Sequence, residues 1–195
     1  MFDSFFGKKN KEVKVIDYIW KNDYAKYKGI VKFMDKSKSI IFVYYFNETK
    51  KQITQVIETM QLDFSSDIYR QKKITITHAE NLLDSKIDVT NTIFCFIEHH
   101  PSFVTEQKIL NYLANELHVS EIIFHISLQE PLLHYFGSDK IVPMLERIGF
   151  DENEPLQHTM ISKSIVNAQQ KVDEKNPNAI ETDSATNWFE VNLSK

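Results

Sequence analysis

Apolar residues fall in blocks along the chain, and the spacing within each block names its element. SIIFVYYF (Ser39 to Phe46), TIFCFIE (Thr92 to Glu98) and EIIFHISL (Glu121 to Leu128) are near-continuous apolar runs of strand length, and KITIT (Lys73 to Thr77) is a shorter one. Between them the period changes to that of a helix. Asn22 and Asp23 cap YAKYKGIVKFMDK, where Tyr24, Tyr27, Ile30, Val31 and Met34 recur at helical spacing. Asn47 caps ETKKQITQVIETM, with Ile53, Val56, Ile57 and Met60 on one face, and Pro101 and Ser102 open a helix over FVTEQKILNYLANEL. From Pro131 the pattern is helical in three pieces, PLLHYFG, SDKIVPMLERIG and PLQHTMISKSIVNAQQKVDEK, with Gly137 and Gly149 where helix stops belong. The final stretch, NPNAIETDSATNWFEVNLSK, reads as a loose polar tail with one aromatic hook, Trp188 and Phe189.

Fully apolar strands alternating with helices predict a parallel sheet covered on both faces. The expected fold class is therefore α/β, a three-layer domain with a mainly parallel sheet and a helical C-terminal extension. In such folds ligands bind beyond the carboxyl ends of the strands. Those ends read Tyr45-Phe46-Asn47, Thr77-His78-Ala79, Glu98-His99-His100-Pro101 and Ser127-Leu128-Gln129-Glu130.

Composition narrows the chemistry. The chain has 195 residues, enough for one domain, and 42% are hydrophobic. The net charge is −4, and the cations are 21 lysines with only Arg70 and Arg147 as arginines, so nucleic-acid binding is not expected. The single cysteine, Cys95, reads as a core residue in a reducing compartment. No run approaches the roughly 18 apolar residues of a membrane span, and MFDSFFGKKNK has the wrong order for a secretory signal, which together predict a cytoplasmic protein. Of the four glycines none follows a predicted strand, and neither GxxxxGK[ST] nor GxGxxG occurs. A nucleotide cradle of the usual kind is not expected.

IEHHPSFVTEQK (Ile97 to Lys108) is the one segment with candidate chemistry. Glu98, His99 and His100, with His78, are the residue types of a metal or acid/base site. Adjacent strand residues face opposite ways, so the two histidines share an ion only if Pro101 bends the chain. The competing reading makes them polar caps at a strand end. Asp84, Asp88 and Glu98 offer paired carboxylates that no spacing brings together, His125 reads as a satisfied core histidine, and Tyr44, Tyr45 and Phe46 pack against helices on both sides of the sheet. No catalytic, cofactor or metal residue is therefore assigned, and no cofactor is expected.

The C-terminal third carries a resemblance. Ser127 to Val172, through FGSDKI, LERIGFDENEPLQH and ISKSIVNAQQKV, closely resembles the SecA protein-translocation ATPase where its second motor domain passes into its helical scaffold. Upstream, DYIWKNDYAKYKGIVKFM resembles the start of that motor domain, and IIFVYYFNETKKQITQVIETM its first helicase-type strand and helix. ITITHAENLLDS falls on the family's glycine- and arginine-containing sensing loop, and IEHHPSFVTEQKI on its Glu-Arg-His-Glu-Ser segment and the arginine-finger helix that follows. Here the corresponding helix, EQKILNYLANEL, has neither arginine nor glycine, and Lys108 is its one cation. A flexible ammonium does not replace two guanidiniums in bidentate phosphate contact.

The resemblance implies a free-standing, degenerate RecA-like domain of the helicase C-terminal type. The expected division is an amphipathic N-terminal segment (1–16), the α/β domain (17–130), the helical extension (131–176) and a polar tail (177–195). The implied function is a non-catalytic, SecA-like interaction module, an accessory or regulator of protein translocation rather than an enzyme. The alternatives are a nucleotide-binding regulator without hydrolysis and a small metal-dependent enzyme using Glu98, His99 and His100. Expected partners are SecA or the translocon, docking on an apolar surface made by ILNYLANEL. A second copy would cover the stripe of Met160, Ile161, Ile165 and Ala168. Met1, Phe2, Phe5 and Phe6 beside Lys8, Lys9 and Lys11 imply weak peripheral membrane contact, at about 1 kcal/mol per basic residue.

Overall fold

The structure is a computed structural model that describes residues 12–34, 38–135, 137, 151 and 153–193. Its strands are β1 (Lys14–Trp20), β2 (Ser39–Tyr44), β3 (Ile74–His78), β4 (Thr92–Phe96) and β5 (Glu121–Ser127). Its described helices are α1 (Asp23–Phe33), α2 (Asn47–Thr59), α3 (Phe103–Asn115), α4 (Pro131–Tyr135), α5 (Thr159–Lys175) and α6 (Ala185–Leu193). The strands form one all-parallel sheet in the order β1-β5-β4-β2-β3. This is the three-layer α/β architecture that the apolar blocks predict, and it is RecA-like as the resemblance implies.

Both faces of the sheet are buried because successive side chains of each strand serve different cores. In β2, Ile41 and Val43 join one cluster with α3, α5 and α6, while Ile40, Phe42 and Tyr44 join the other with Ile30 of α1 and Ile53 and Ile57 of α2. Tyr45 and Phe46 extend the first cluster, as their expected packing role requires. Cys95 is buried in the second, and burial pushes its thiol well above the ordinary range. His125 is buried, and its Nδ1 accepts from Trp20 Nε1 at 3.1 Å. Desolvation, with Lys26 adding repulsion, lowers its pKa to about 3, so it is a neutral core acceptor.

Several expectations change. β1 is a strand that the apolar pattern does not reveal, because Asp17 interrupts the run; it crosses the expected 16/17 boundary and pairs with β5 from Lys14↔Glu121 to Trp20↔Ser127. α1 buries Ala25, Lys26, Gly29 and Ile30, and Tyr24 is 75% exposed, so its inward face is rotated from the expected one. The reason is Trp20, whose ring lies so close that a Cβ on Gly29 would meet it at 2.1 Å. Only glycine lets α1 settle on this indole.

The stripe on α5 is covered within the chain. Ile165, Ala168 and Val172 are buried in the core, Ile161 packs against it, and Met160 stays exposed. The reason for invoking a second copy is thus removed. The tail is not loose: α6 forms, with Ser184 Oγ accepting from Asn187 N at 3.1 Å and with Trp188 fully buried. Gly137 follows α4 at φ +92, a left-handed stop.

ISKSIVNAQQKV lies in α5. The N-terminal apolar and basic residues 1–11, the helix expected over SDKIVPMLERIG and most of the FGSDKI and LERIGF motifs lie outside the described residues. No helix among the described residues is long and apolar enough to cross a membrane.

Candidate functional site

After β2 the chain turns one way to β3, and after β4 it turns the other way to β5. The carboxyl ends of β2 and β4, which are neighbours, therefore flank the topological switch point where open α/β sheets form a crevice. The turn Tyr45-Phe46-Asn47 lies on one side and Glu98-His99-His100 on the other. All four predicted strand ends meet at this edge of the sheet.

Glu98 bridges the crevice. Its Oε1 accepts from the amides of Tyr45 (2.9 Å) and Phe46 (3.1 Å), and its Oε2 from the Thr49 hydroxyl (2.6 Å). A carboxylate of this chain thus occupies the anion position at the head of α2, where free amides and the helix dipole favour negative charge. Asn47 does not cap α2 as expected; its Nδ2 donates to Asp183 Oδ1 at 2.7 Å, and Glu48 N donates to Asp183 O at 3.0 Å. Burial raises the Glu98 pKa to about 7 despite these bonds and the nearby Lys26 ammonium.

His99 turns the other way, into a charged triad. Its Nδ1 meets both carboxylate oxygens of Glu106 on α3 at 3.0 Å, and its Nε2 meets Asp17 Oδ1 on β1 at 3.2 Å. Both ring nitrogens face acceptors, so both carry protons and the ring is an imidazolium. Burial opposes that charge, yet the Glu106 charge and the Asp17 bond prevail and raise the pKa to about 10. Burial also opposes the Asp17 charge, but the His99 bond holds its carboxyl below the usual range. The ring lies flat on Phe124, centroids 4.0 Å apart.

Lys26 forms the neighbouring pair. It is 4% exposed, and its Nζ donates to Glu130 Oε1 at 2.9 Å and to Ile97 O at 3.1 Å. Ser127 N also donates to Glu130 Oε1, at 2.9 Å, which ties the end of β5 to α1. A cleft of about 160 Å³ runs past Lys26, Glu98 and Glu130, bounded by Ala185 and Phe189 of α6.

His100 differs from both. Ser102 N donates to its Nδ1 at 3.0 Å, so the proton of the neutral ring is on Nε2. That Nε2 is buried, has no hydrogen-bond partner among the described residues and lies 3.5 Å from Glu181 Oε2. His78, the fourth candidate ligand, is engaged by Tyr45 O (2.9 Å) and Glu80 N (3.3 Å).

The cluster of the alternative, metal-dependent reading therefore does not converge. Glu98, His99 and His100 aim at three different sets of protein partners, and no group of three potential metal ligands stands together among the described residues. The imagined carboxylate set is split as well: Asp84 and Asp88 precede β4, whereas Glu98 follows it. Residues that sequence reasoning missed complete the site: Asp17, Lys26, Thr49, Glu106, Asp183 and Trp188. A usable signal existed for one of them: Asp17 interrupts the apolar run VIDYIW. Lys26 lies off the face that the apolar spacing of α1 marks, and only the rotation of the helix on Trp20 buries it.

The face offered by ILNYLANEL is also different from the expected docking surface. Ile109, Leu110 and Leu113 lie in the core, where α3 packs on α5, and Glu106 is bound to His99. Lys108 is exposed, beside a cleft of about 380 Å³ that runs from Tyr45 and His78 past His100 to Glu181.

No protein-family model matches the chain. Its similarity is to SecA. The protein translocase subunit SecA 1 of Chlorobium chlorochromatii is 27% identical over 139 residues, 66% of this chain and 14% of the relative. SecA of Acetivibrio thermocellus is 31% identical over 115 residues, 56% of this chain and 12% of the relative. SecA of Chlorobaculum tepidum is 34% identical over 79 residues, 40% of this chain and 8% of the relative. The chain is SecA-like over these stretches, and it spans between 8% and 14% of the length of these curated relatives.

Proposed function

We propose that this chain is a non-catalytic interaction module of SecA-like design, an accessory or regulator of protein translocation that works in the cytoplasm as a pseudo-ATPase. Residues 17–130 would be its degenerate motor-type domain and 131–176 its helical extension. The translocation context is supported by the similarity to SecA subunits. The observation that carries the non-catalytic reading is the state of α3. The helix that the resemblance would arm with arginines has none, and its inward positions are spent on the core and on the Glu106–His99 pair. Nothing on it offers bidentate phosphate contact. The crevice supports the same reading, because Glu98 already fills the anion position at the head of α2.

SecA or the translocon is the partner this reading names. The purified chain should show no ATP turnover, and tagged chain recovered from its own cells, membranes included, should bring down SecA or translocon subunits. ATP hydrolysis that disappears in Glu98→Gln would overturn the non-catalytic reading. Recovery of neither partner would remove the translocation role.

A further inference from the structure

Residues 177–193 lie against the switch-point crevice, and the way they are held there is unlike the rest of the fold. Within themselves they are tightly braced. Asn192 Nδ2 donates to Ile180 O and to Trp188 O, both at 2.9 Å, while its Oδ1 accepts from Ile180 N at 2.8 Å. Thr182 and Trp188 N both bond to Ser184 O. These bonds make residues 177–193 a small self-braced unit. It is joined to α5 at Asn176, whose side chain clasps Asn192, and Pro177 follows directly.

Its attachment to the rest of the fold is of another kind: Trp188 and Phe189 enter the first core cluster, and the polar ties to the strand ends are few. Asp183 holds Asn47 Nδ2 and Glu48 N, and Glu181 stands 3.5 Å from His100. Trp188 packs edge-on to His100, centroids 5.9 Å apart, and Phe189 against Tyr135. The interior of this contact is imperfectly paired. Tyr45 Oη, His100 Nε2, Gln169 Oε1 and Trp188 Nε1 are buried side-chain atoms with no hydrogen-bond partner among the described residues. All four belong to His100 or to residues that touch it: Tyr45 at 5.1 Å between rings, Trp188, and Gln169, whose Nε2 donates to His100 O at 2.8 Å. Buried polar atoms without partners raise the free energy of the closed state, and water satisfies them when the contact opens.

We propose that residues 177–193 form a hinged strap over the carboxyl ends of β2 and β4, closed in this structure, which opens as a unit about Asn176–Pro177 while the sheet stays folded. Opening uncovers His100, Tyr45 and the head of α2, so the strap governs access to the crevice. Opening breaks the Asp183 and Glu181 ties and the packing of Trp188 and Phe189 but no sheet ladder, so this body separates more readily than one stitched into the sheet.

Two measurements on the full chain test this. Native-state hydrogen exchange should show α6 opening separately, with amide protection at least about 30-fold below that of β2, β4 and β5. Carbethoxylation by diethyl pyrocarbonate, read by mass spectrometry, should modify His100 at a rate set by strap opening. Asp183→Ala should raise that rate about 10-fold and leave His125 protected. If α6 and the sheet exchange together, or if Asp183→Ala raises His100 and His125 labelling alike, the strap is part of the global fold and the proposal is wrong. Should Asp183→Ala fail to fold, exchange on the unmodified chain decides alone.

Discussion

His99 and His100 are neighbours in sequence, both are buried, and they are opposites in chemistry. His99 is clamped between Asp17 and Glu106 as an imidazolium, so three elements (β1, the end of β4 and α3) are tied by one ring. His100 accepts from Ser102 N at Nδ1, and its Nε2 has only a long contact, 3.5 Å, to the exposed Glu181 carboxylate, beneath the ring of Trp188. Each carboxylate of the triad would be a stranded buried charge without its partner. The His100 side loses little when its Nε2 is removed, because that contact is long and its carboxylate partner is exposed. The comparison teaches that one strand end can be both the most committed and the most releasable part of the sheet edge. Chain direction alternates the side chains, and only their surroundings differ.

The comparison breaks most easily at His99. His99→Gln removes the positive charge while nearly preserving volume, and leaves the buried Asp17 and Glu106 carboxylates without their countercharge, Glu106 keeping only the His100 amide at 2.9 Å. Urea unfolding should show a loss of about 3–5 kcal/mol. His100→Gln should lose about 1 kcal/mol, the value of one ordinary hydrogen bond. Equal losses would mean that the triad is not the stronger clamp.

Acidity gives the second contrast. The His99 pKa is raised in the fold to about 10 from 6.5. Its stabilisation is fully present below pH 6.5 and is lost as pH rises through 10, at up to about 1.4 kcal/mol per pKa unit. The melting temperature should therefore fall between pH 7 and pH 10. The fall should persist in His100→Gln and be largely absent in His99→Gln.

Glu98 titrates lower on the scale. Its pKa is raised to about 7 from 4.5, so the native state holds its proton longer than the unfolded chain does. That contribution is present below pH 4.5 and lost as pH rises through 7. Glu98→Gln keeps an acceptor for the Tyr45 and Phe46 amides but does not titrate. Relative to the unaltered chain, it should gain about 1–3 kcal/mol between pH 5 and pH 8. A variant whose stability difference is flat over that range would show that the three hydrogen bonds, not burial, govern Glu98.

The smallest effect is the most pointed. Tyr45→Phe deletes a buried hydroxyl that has no hydrogen-bond partner among the described residues. It should be neutral or stabilising by up to about 1 kcal/mol, in contrast to any truncation in the triad. A clear destabilisation in thermal melts would mean that the hydroxyl is paired in solution.

The apolar blocks of the chain determined the layers of the molecule. Continuous runs such as SIIFVY and EIIFHIS bury both faces of a strand, and that arrangement requires helices on each side of a parallel sheet. Ser102 was legible as a cap because capping is local: its hydroxyl accepts from Thr105 N, three residues on. The SecA likeness was legible too, since it is carried by contiguous residues.

What only the tertiary structure decided involves partners distant in sequence. Asn47 had the right local chemistry for a cap, yet Asp183 took its side chain, and Glu98 took the amides of Tyr45 and Phe46, 53 and 52 residues away. The apolar stripe of ILNYLANEL looked like a surface because nothing in the sequence places α5 against it. Glu98, His99 and His100 looked like a ligand set because adjacency along the chain is all that a sequence displays. The direction of each side chain depends on which strand, helix or tail the fold brings opposite it. For His99 that is a carboxylate from β1 and another from α3, and for His100 it is the returning tail.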